Sequence, residues 1–131
     1  MLRILICVFV GSGIGGALRY LISLWTNGLF RNSAPSLALF PWGTFFVNVV
    51  GCFIIGLLYG LIDSGLWSMS PTTKALLTTG FCGGLTTFST FSHENYILFL
   101  SQNYVLALIF VATSIIFGFV AAMLGHAVVR M

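Results

Sequence analysis

The chain has 131 residues, of which 59% are hydrophobic and only 5% are charged. Because soluble domains carry about 25% charged residues, this composition excludes an ordinary soluble protein and indicates an integral membrane protein. A spanning helix needs about 20 apolar residues, so four spans with short loops use nearly the whole length and leave no room for a soluble catalytic domain. The net charge of +3 comes from scattered basic residues that form no patch, so nucleic acid is not an expected partner.

The hydropathy pattern predicts an all-α membrane protein, a single domain over residues 1–131 with four transmembrane helices. The spans are expected at about 3–25, 41–62, 71–100 and 104–129, separated by turn-rich connections. In the first span, Gly11 and Gly15 have the spacing that lets two helices approach closely. Arg19, near the end of this span, has two interpretations: its long side chain reaches the membrane surface, or its charge draws anions toward a pore mouth.

The second span holds an asparagine at a depth where a polar side chain is costly without a partner. Pro41 suits the start of the helix, and Thr44 and Asn48 are four residues apart, so they share a face. Asn48 either makes a hydrogen bond between helices, worth about 0.6–2 kcal/mol, or donates to a permeating ion. Its position is compatible with both interpretations.

The third span contains the most unusual stretch of the chain, residues 79–92, with three glycines, six hydroxyl side chains and three phenylalanines. Glycine lowers helix propensity by about 1 kcal/mol relative to alanine, and free backbone groups are not left facing lipid. We therefore expect this helix to break at mid-membrane, at Gly83-Gly84, and to line a site for a small ion. Phe88 and Phe91 are three residues apart and form an aromatic face, which is either core packing or part of that site.

The boundaries of the last two spans carry ordinary signals. Ser70 followed by Pro71 is typical of a helix N-terminus. His93-Glu94 is expected to form a solvated ionic pair near the lipid headgroups. The fourth span has a modest polar face that includes Ser114.

Catalysis is not expected, because the chain has no phosphate loop, no nucleophile beside a base and no paired carboxylates in one site. The three cysteines, Cys7, Cys52 and Cys82, all fall inside predicted spans. Their odd number and their depth argue against a disulfide framework, and their spacing matches no metal motif. We expect them to serve as packing residues.

The basic residues are divided almost evenly between the two membrane faces. Four spans place Arg3, Lys74 and Arg130 on one face and Arg19 and Arg31 on the other, which is almost no positive-inside bias. Such a chain can insert in both orientations, and two opposed copies would meet across a two-fold axis in the membrane plane. We expect an antiparallel homodimer, because four short helices form too thin a bundle to enclose a water-lined path.

The chain resembles the Fluc (CrcB) family of small fluoride channels. The stretch from Gly80 to Ser92, together with Glu94, is very similar to the signature of that family's third helix. Gly43-Thr44 followed by Val47-Asn48, Leu18-Arg19 and the four-span length also match. The resemblance covers essentially the whole chain, and the third-helix motif is highly specific.

The resemblance implies a dual-topology dimer with two pathways that export fluoride passively across a bacterial inner membrane. It also implies a structural sodium ion at the centre of the dimer, held by backbone carbonyls. Carried over by motif, the fluoride pathway includes Asn48, Phe88, Phe91, Ser89, Thr90 and Ser114. The same resemblance implies that Gly83 and Thr86 supply the carbonyls, and that Arg19, Thr44 and Glu94 lie at the pore mouth or are structural.

Two other functions compete with this interpretation. A small dual-topology multidrug exporter has the same size and charge balance, but it needs a carboxylate embedded in the membrane. The first span has none, and Glu94 is expected near an interface. A helical scaffold without transport activity would leave the buried Asn48 and the hydroxyl-rich stretch without a purpose.

Overall fold

The computed structural model describes residues 1–131, and every regular element in it is a helix. In chain order the elements are α1 (Leu2–Phe30), α2 (Pro35–Leu39), α3 (Trp42–Asp63), α4 (Pro71–Ala75), a π-helical segment (Leu76–Cys82), α5 (Gly83–Leu85), α6 (Phe88–Leu100) and α7 (Tyr104–Val128).

Helices α1, α3 and α7 are long and apolar enough to cross a membrane. The chain is therefore a multi-pass membrane protein. The expected third span is not one helix of that kind: it is divided into α4, the π-helical segment, α5 and α6, with a non-helical step between α5 and α6. Its N-terminus is as predicted, since the Ser70 side chain accepts a hydrogen bond from the Thr73 backbone N–H and Pro71 opens α4.

Glycines allow α1 to pack closely against the segment that precedes the non-helical step. A Cβ added at Gly11 would strike the carbonyl oxygen of Leu76, and one added at Gly15 would strike that of Phe81. From the opposite side, a Cβ on Gly84 would lie 2.5 Å from the carbonyl oxygen of Ser12. The predicted close approach of α1 is confirmed, and its partner is the broken third segment.

A second glycine seam joins α3 to α7. Cβ atoms added at Gly56 and Gly125 would strike the backbone carbonyls of Ala122 and Phe53, respectively. At Gly60 the nearest atom would be the His126 carbonyl oxygen, 2.8 Å away. These contacts bring the two helix backbones together, and they fix the position of the polar residues that α3 and α7 carry.

Aromatic residues fill the other end of the α3–α7 pair. Phe110 of α7 is completely buried and packs edge-on against Phe40, with 5.3 Å between ring centroids. Leu98 of α6 belongs to the same buried cluster. The indole N–H of Trp42 donates to the Leu37 carbonyl at 2.8 Å, which secures α2 over this end of the bundle.

The connections differ from the expectation in two places. The first connection was expected over residues 26–40, but α1 continues to Phe30 and α2 lies within the connection. Only one carboxylate contacts a basic side chain: Asp63 Oδ2 and His126 Nε2 are 3.2 Å apart at one end of α3 and α7. The expected His93–Glu94 ionic pair is not formed, because Glu94 points into the protein and is half-buried.

Candidate functional site: a cavity at the interruption of the third segment

The helix interruption lies at Thr86 and Thr87. Gly83 has helical torsions (φ −64°, ψ −34°), whereas Thr86 (φ −82°, ψ 159°) and Thr87 (φ −152°, ψ 124°) are extended. The prediction of a break is confirmed, but its placement at Gly83-Gly84 was wrong by about one helical turn. Gly84 is needed for the close approach to α1, while the break itself is made by the two threonines.

Asn48 is the residue that stabilises the extended step. The Thr87 backbone N–H donates to Asn48 Oδ1 at 2.7 Å, and Asn48 Nδ2 donates to the Thr87 carbonyl at 3.1 Å. The side-chain amide thus pairs with the N–H and the carbonyl of Thr87 as a neighbouring backbone would. A continuous helix would direct the Thr87 N–H to the Gly83 carbonyl, so this pairing also releases the Gly83 carbonyl from its helical partner.

Thr87 is also the N-cap of α6. Its hydroxyl accepts from the Thr90 backbone N–H at 3.2 Å and contacts the hydroxyls of Thr90 and Ser89 at 3.1 Å and 3.3 Å. In a continuous helix that Thr90 N–H would bind the Thr86 carbonyl, so the cap releases a second carbonyl. The N-terminus of α6 carries a partial positive charge of about half an electron charge, which favours anions beside its first turn.

Arg19 uses the released Thr86 carbonyl. Its Nη1 atom donates to that oxygen at 3.1 Å, and the residue is half-buried. The side chain therefore turns inward to the interruption and does not extend to the membrane surface. This contact places a full positive charge next to the step between α5 and α6, and it makes Arg19 part of the same polar cluster as Asn48 and Thr87.

A cavity of about 480 Å³ opens beside this step. We call it the break cavity; its lining includes residues of α3, the broken segment and α7. The Phe88 and Phe91 rings both border it, with centroids 6.0 Å apart and planes inclined by 35°. The lining residues are Asn48, Gly51, Cys52, Ile55, Thr78, Cys82, Gly83, Thr86, Thr87, Phe88, Phe91, Ser114 and Ile115.

The structure brings together six of the residues singled out from the sequence. Those that line the break cavity are Asn48, Gly83, Thr86, Phe88, Phe91 and Ser114. The Ser114 hydroxyl is buried and has no hydrogen-bond partner within the protomer, so it is available to a molecule in the cavity. Ser89 and Thr90 do not line the cavity; their hydroxyls meet the capping hydroxyl of Thr87 instead.

Thr44 and Glu94 form a separate polar pair outside the lining. Thr44 is almost completely buried, and its side chain lies beside the Glu94 carboxyl. Glu94 Oε2 is buried and accepts no hydrogen bond within the protomer. Thr44 lies on α3 and Glu94 on α6, and neither lines the cavity.

The sequence interpretation did not assign the roles of two residues at the site, Thr87 and Phe110. Thr87 supplies both the peptide that Asn48 binds and the hydroxyl that caps α6. Threonine is a favoured N-cap residue, and this preference at the start of the helical run could have indicated its role. Phe110 packs against Phe91 with 5.0 Å between centroids and supports that ring from α7, and no local sequence signal indicates this contact.

Comparison with known proteins identifies the family to which this arrangement belongs. The profile described as "CrcB-like protein, Camphor Resistance (CrcB)" matches residues 6–126. The chain belongs to the CrcB family. A CrcB relative in Gloeothece citriformis, named fluoride-specific ion channel FluC, is 42% identical over 130 residues, which is 99% of this chain and 98% of the relative.

Two further relatives carry the same name. The protein of Azobacteroides pseudotrichonymphae is 39% identical over 96% of this chain and 95% of its own length. That of Ignicoccus hospitalis is 38% identical over 95% of this chain and 94% of its own length. The names of these CrcB members describe ion channels and not enzymes.

Proposed function

We propose that this chain is a passive, fluoride-selective channel that exports fluoride across the membrane, and that it is not an enzyme. The observation that carries the proposal is the break cavity. Uncharged hydrogen-bond donors and two phenyl rings meet there at the N-terminus of α6, and no carboxylate is among the lining residues. The names of the CrcB relatives support fluoride as the ion.

The chemistry of the cavity suits a small anion. Asn48 uses Nδ2 to hold the Thr87 carbonyl, and a primary amide has a second N–H to offer. Ser114 supplies a hydroxyl without a partner, and the positive edges of the Phe88 and Phe91 rings attract negative charge. Neutral donors bind an anion more weakly than a lysine or arginine in direct contact would, so the ion can leave as well as enter.

We propose that the channel is an antiparallel homodimer with two pathways. Phe88 is 80% exposed in the protomer although it borders the cavity, so one wall of the pathway is open. Gly83, whose carbonyl is released by the interruption, is exposed as well. A second copy with the opposite orientation would cover both and bury the free backbone groups in protein, as the bilayer requires.

The released carbonyls suit the sodium ion that the family resemblance implies. Two copies would supply four oxygens, from Gly83 and Thr86 of each protomer, and backbone carbonyls are suitable ligands for a hard cation. Thr86 already accepts from Arg19, but a carbonyl oxygen has a second lone pair. We propose that these residues hold one structural sodium ion, whose positive charge would hold the interruptions of the two protomers together.

Ion flux from reconstituted liposomes tests the main proposal. Vesicles loaded with potassium fluoride should release fluoride when valinomycin sets the potential, and the same vesicles with chloride should release almost none. Absence of fluoride release from folded, dimeric protein would overturn the proposal.

One observation favours a multidrug exporter as a second candidate. Glu94 is half-buried, and its Oε2 atom has no partner, so it is more enclosed than a carboxylate at the headgroups. Proton-driven uptake of a cationic dye into the same vesicles, lost in Glu94→Gln, would support this function. The absence of Glu94 from the cavity lining favours the channel.

A further inference from the structure

Two of the three cysteines lie on the break cavity. Cys52 is one helical turn beyond Asn48 on α3, and Cys82 ends the π-helical segment just before α5. Both are free thiols and both line the cavity, whereas Cys7 lies on α1 and does not. The two residues are 30 positions apart in the sequence, so only the packing of α3 against the broken segment brings them to one place.

The surroundings fix both thiols in position. Cys82 is 3% exposed. The Cys52 sulfur packs against α7, where a Cβ added at Gly118 would lie 3.4 Å from it. Packing alone accounts for a single buried cysteine, but it does not require two thiols to face one cavity.

We propose that Cys52 and Cys82 form a binding site for a soft metal cation that prefers two thiolate ligands, and that occupation of this site closes the pathway. Thiolates are the protein ligands preferred by soft cations. Only two such ligands line the cavity, and the chain has no group of three or more His, Cys, Asp or Glu residues that could hold a metal. The class of ligand that fits this site is therefore a soft cation that binds two ligands in a nearly linear arrangement.

Mercury(II) is the appropriate probe because its complex with two thiolates is neutral. The reaction is Hg²⁺ + 2 R–SH → R–S–Hg–S–R + 2 H⁺: two S–H bonds break, two Hg–S bonds form, and no electron is transferred. Since an isolated charge is costly in a low-dielectric site, the neutral product is favoured there over a singly bound, charged adduct. The bound metal would link α3 to the helix before the interruption, beside Asn48 and the phenyl rings.

The binding test requires no transport. Purified dimer carrying Cys7→Ala is titrated with mercury(II) chloride while the ultraviolet absorption of the mercury–thiolate bond is recorded, and glutathione then competes for the metal. We expect one mercury per protomer, retained against glutathione. Adding Cys52→Ala or Cys82→Ala should each abolish the retention. Two mercury ions per protomer, or equal retention by both single-thiol variants, would overturn the proposal.

The second experiment, which measures fluoride flux, rests on the proposed channel function. Mercury(II) should remove most of the fluoride efflux of the Cys7→Ala protein and little of that of Cys52→Ala/Cys7→Ala. If an alanine variant does not fold, Cys52→Ser or Cys82→Ser replaces it, since serine is similar in size to cysteine but lacks the soft sulfur. Tight mercury binding without any fluoride flux before the metal is added would disprove the channel and leave the metal site standing. Tight binding with unimpaired flux would disprove closure.

Discussion

Asn48 pairs with the backbone of Thr87 through both of its amide atoms, with hydrogen bonds of 2.7 Å and 3.1 Å. One side chain on α3 thereby replaces the helical partners that Thr87 loses at the interruption. Asn48 is also one of the residues that line the break cavity. The two interpretations of Asn48, an interhelical bond and a ligand for the ion, are therefore compatible in one conformation.

The Asn48–Thr87 pair should contribute measurably to stability. Asn48→Ala leaves a buried N–H and a buried carbonyl unpaired, and each costs about 1–3 kcal/mol. We expect a lower midpoint of thermal unfolding in detergent and a large loss of fluoride efflux. Asn27→Ala is the matched control, since Asn27 is exposed and makes no side-chain hydrogen bond. An unchanged midpoint for Asn48→Ala would show that the pair is not formed.

The phenyl rings provide a test of the pathway. Phe88→Ile and Phe91→Ile keep the apolar bulk but remove the positive ring edge, so each should lower fluoride efflux by roughly tenfold. Phe119→Ile is the control, because Phe119 is 67% exposed on α7 and does not border the cavity. Near-normal rates for both cavity variants would remove the rings from the ion's path.

Arg19 should stabilise the interruption and not merely the membrane surface. Arg19→Met keeps an apolar chain of similar length but leaves the Thr86 carbonyl without its donor, which we expect to cost about 1–3 kcal/mol. Arg19→Lys should restore part of the loss, since it also donates. Arg31→Met should change little, because Arg31 is exposed and unpaired. Equal effects of the two methionine substitutions would contradict the inward contact.

The glycine seam between α3 and α7 should tolerate no side chain. Gly125→Ala directs a methyl group at the Phe53 carbonyl, and overpacking of this kind costs about 1–3 kcal/mol. Gly13→Ala has nothing within 4 Å of the new methyl and should leave the protein as stable or slightly more so. Thermal unfolding of the two variants, measured side by side, checks the difference.

Sodium should stabilise the dimer if the released carbonyls bind it. Replacing sodium by N-methylglucamine at constant ionic strength should lower the unfolding midpoint and increase the monomer fraction in size-exclusion chromatography. A binding ligand stabilises the folded state in proportion to the logarithm of its concentration, so the midpoint should rise steadily as sodium is restored. A midpoint that does not depend on sodium would remove the ion from the proposal.

The sequence predicted three of the membrane helices, α1, α3 and α7, because long apolar runs are a local signal. It also indicated that the third segment is interrupted, since Gly83, Gly84 and the hydroxyl residues are unfavourable in a continuous helix. It did not locate the interruption at Thr86 and Thr87, because that position depends on a hydrogen bond from Asn48, 39 residues away.

Other features of the site depend equally on contacts between distant residues. Arg19 reaches Thr86 across 67 positions, and the support of Phe91 by Phe110 requires α7 to be in place. The glycines that appeared to cause the break instead allow α1 to pack closely, which becomes evident only when the atoms opposite them are known. The residue types indicated which residues take part in the site, but their roles follow only from their contacts in the folded protein.

Fluoride efflux under a controlled potential tests the central claim most directly. Liposomes with the wild-type protein and an internal potassium fluoride load are followed with a fluoride electrode before and after valinomycin is added. We predict negligible release before the ionophore, rapid release after it, and no comparable release of chloride. A rate of fluoride release that is the same with and without valinomycin would contradict a passive fluoride channel. So would the absence of release from protein shown to be folded and dimeric.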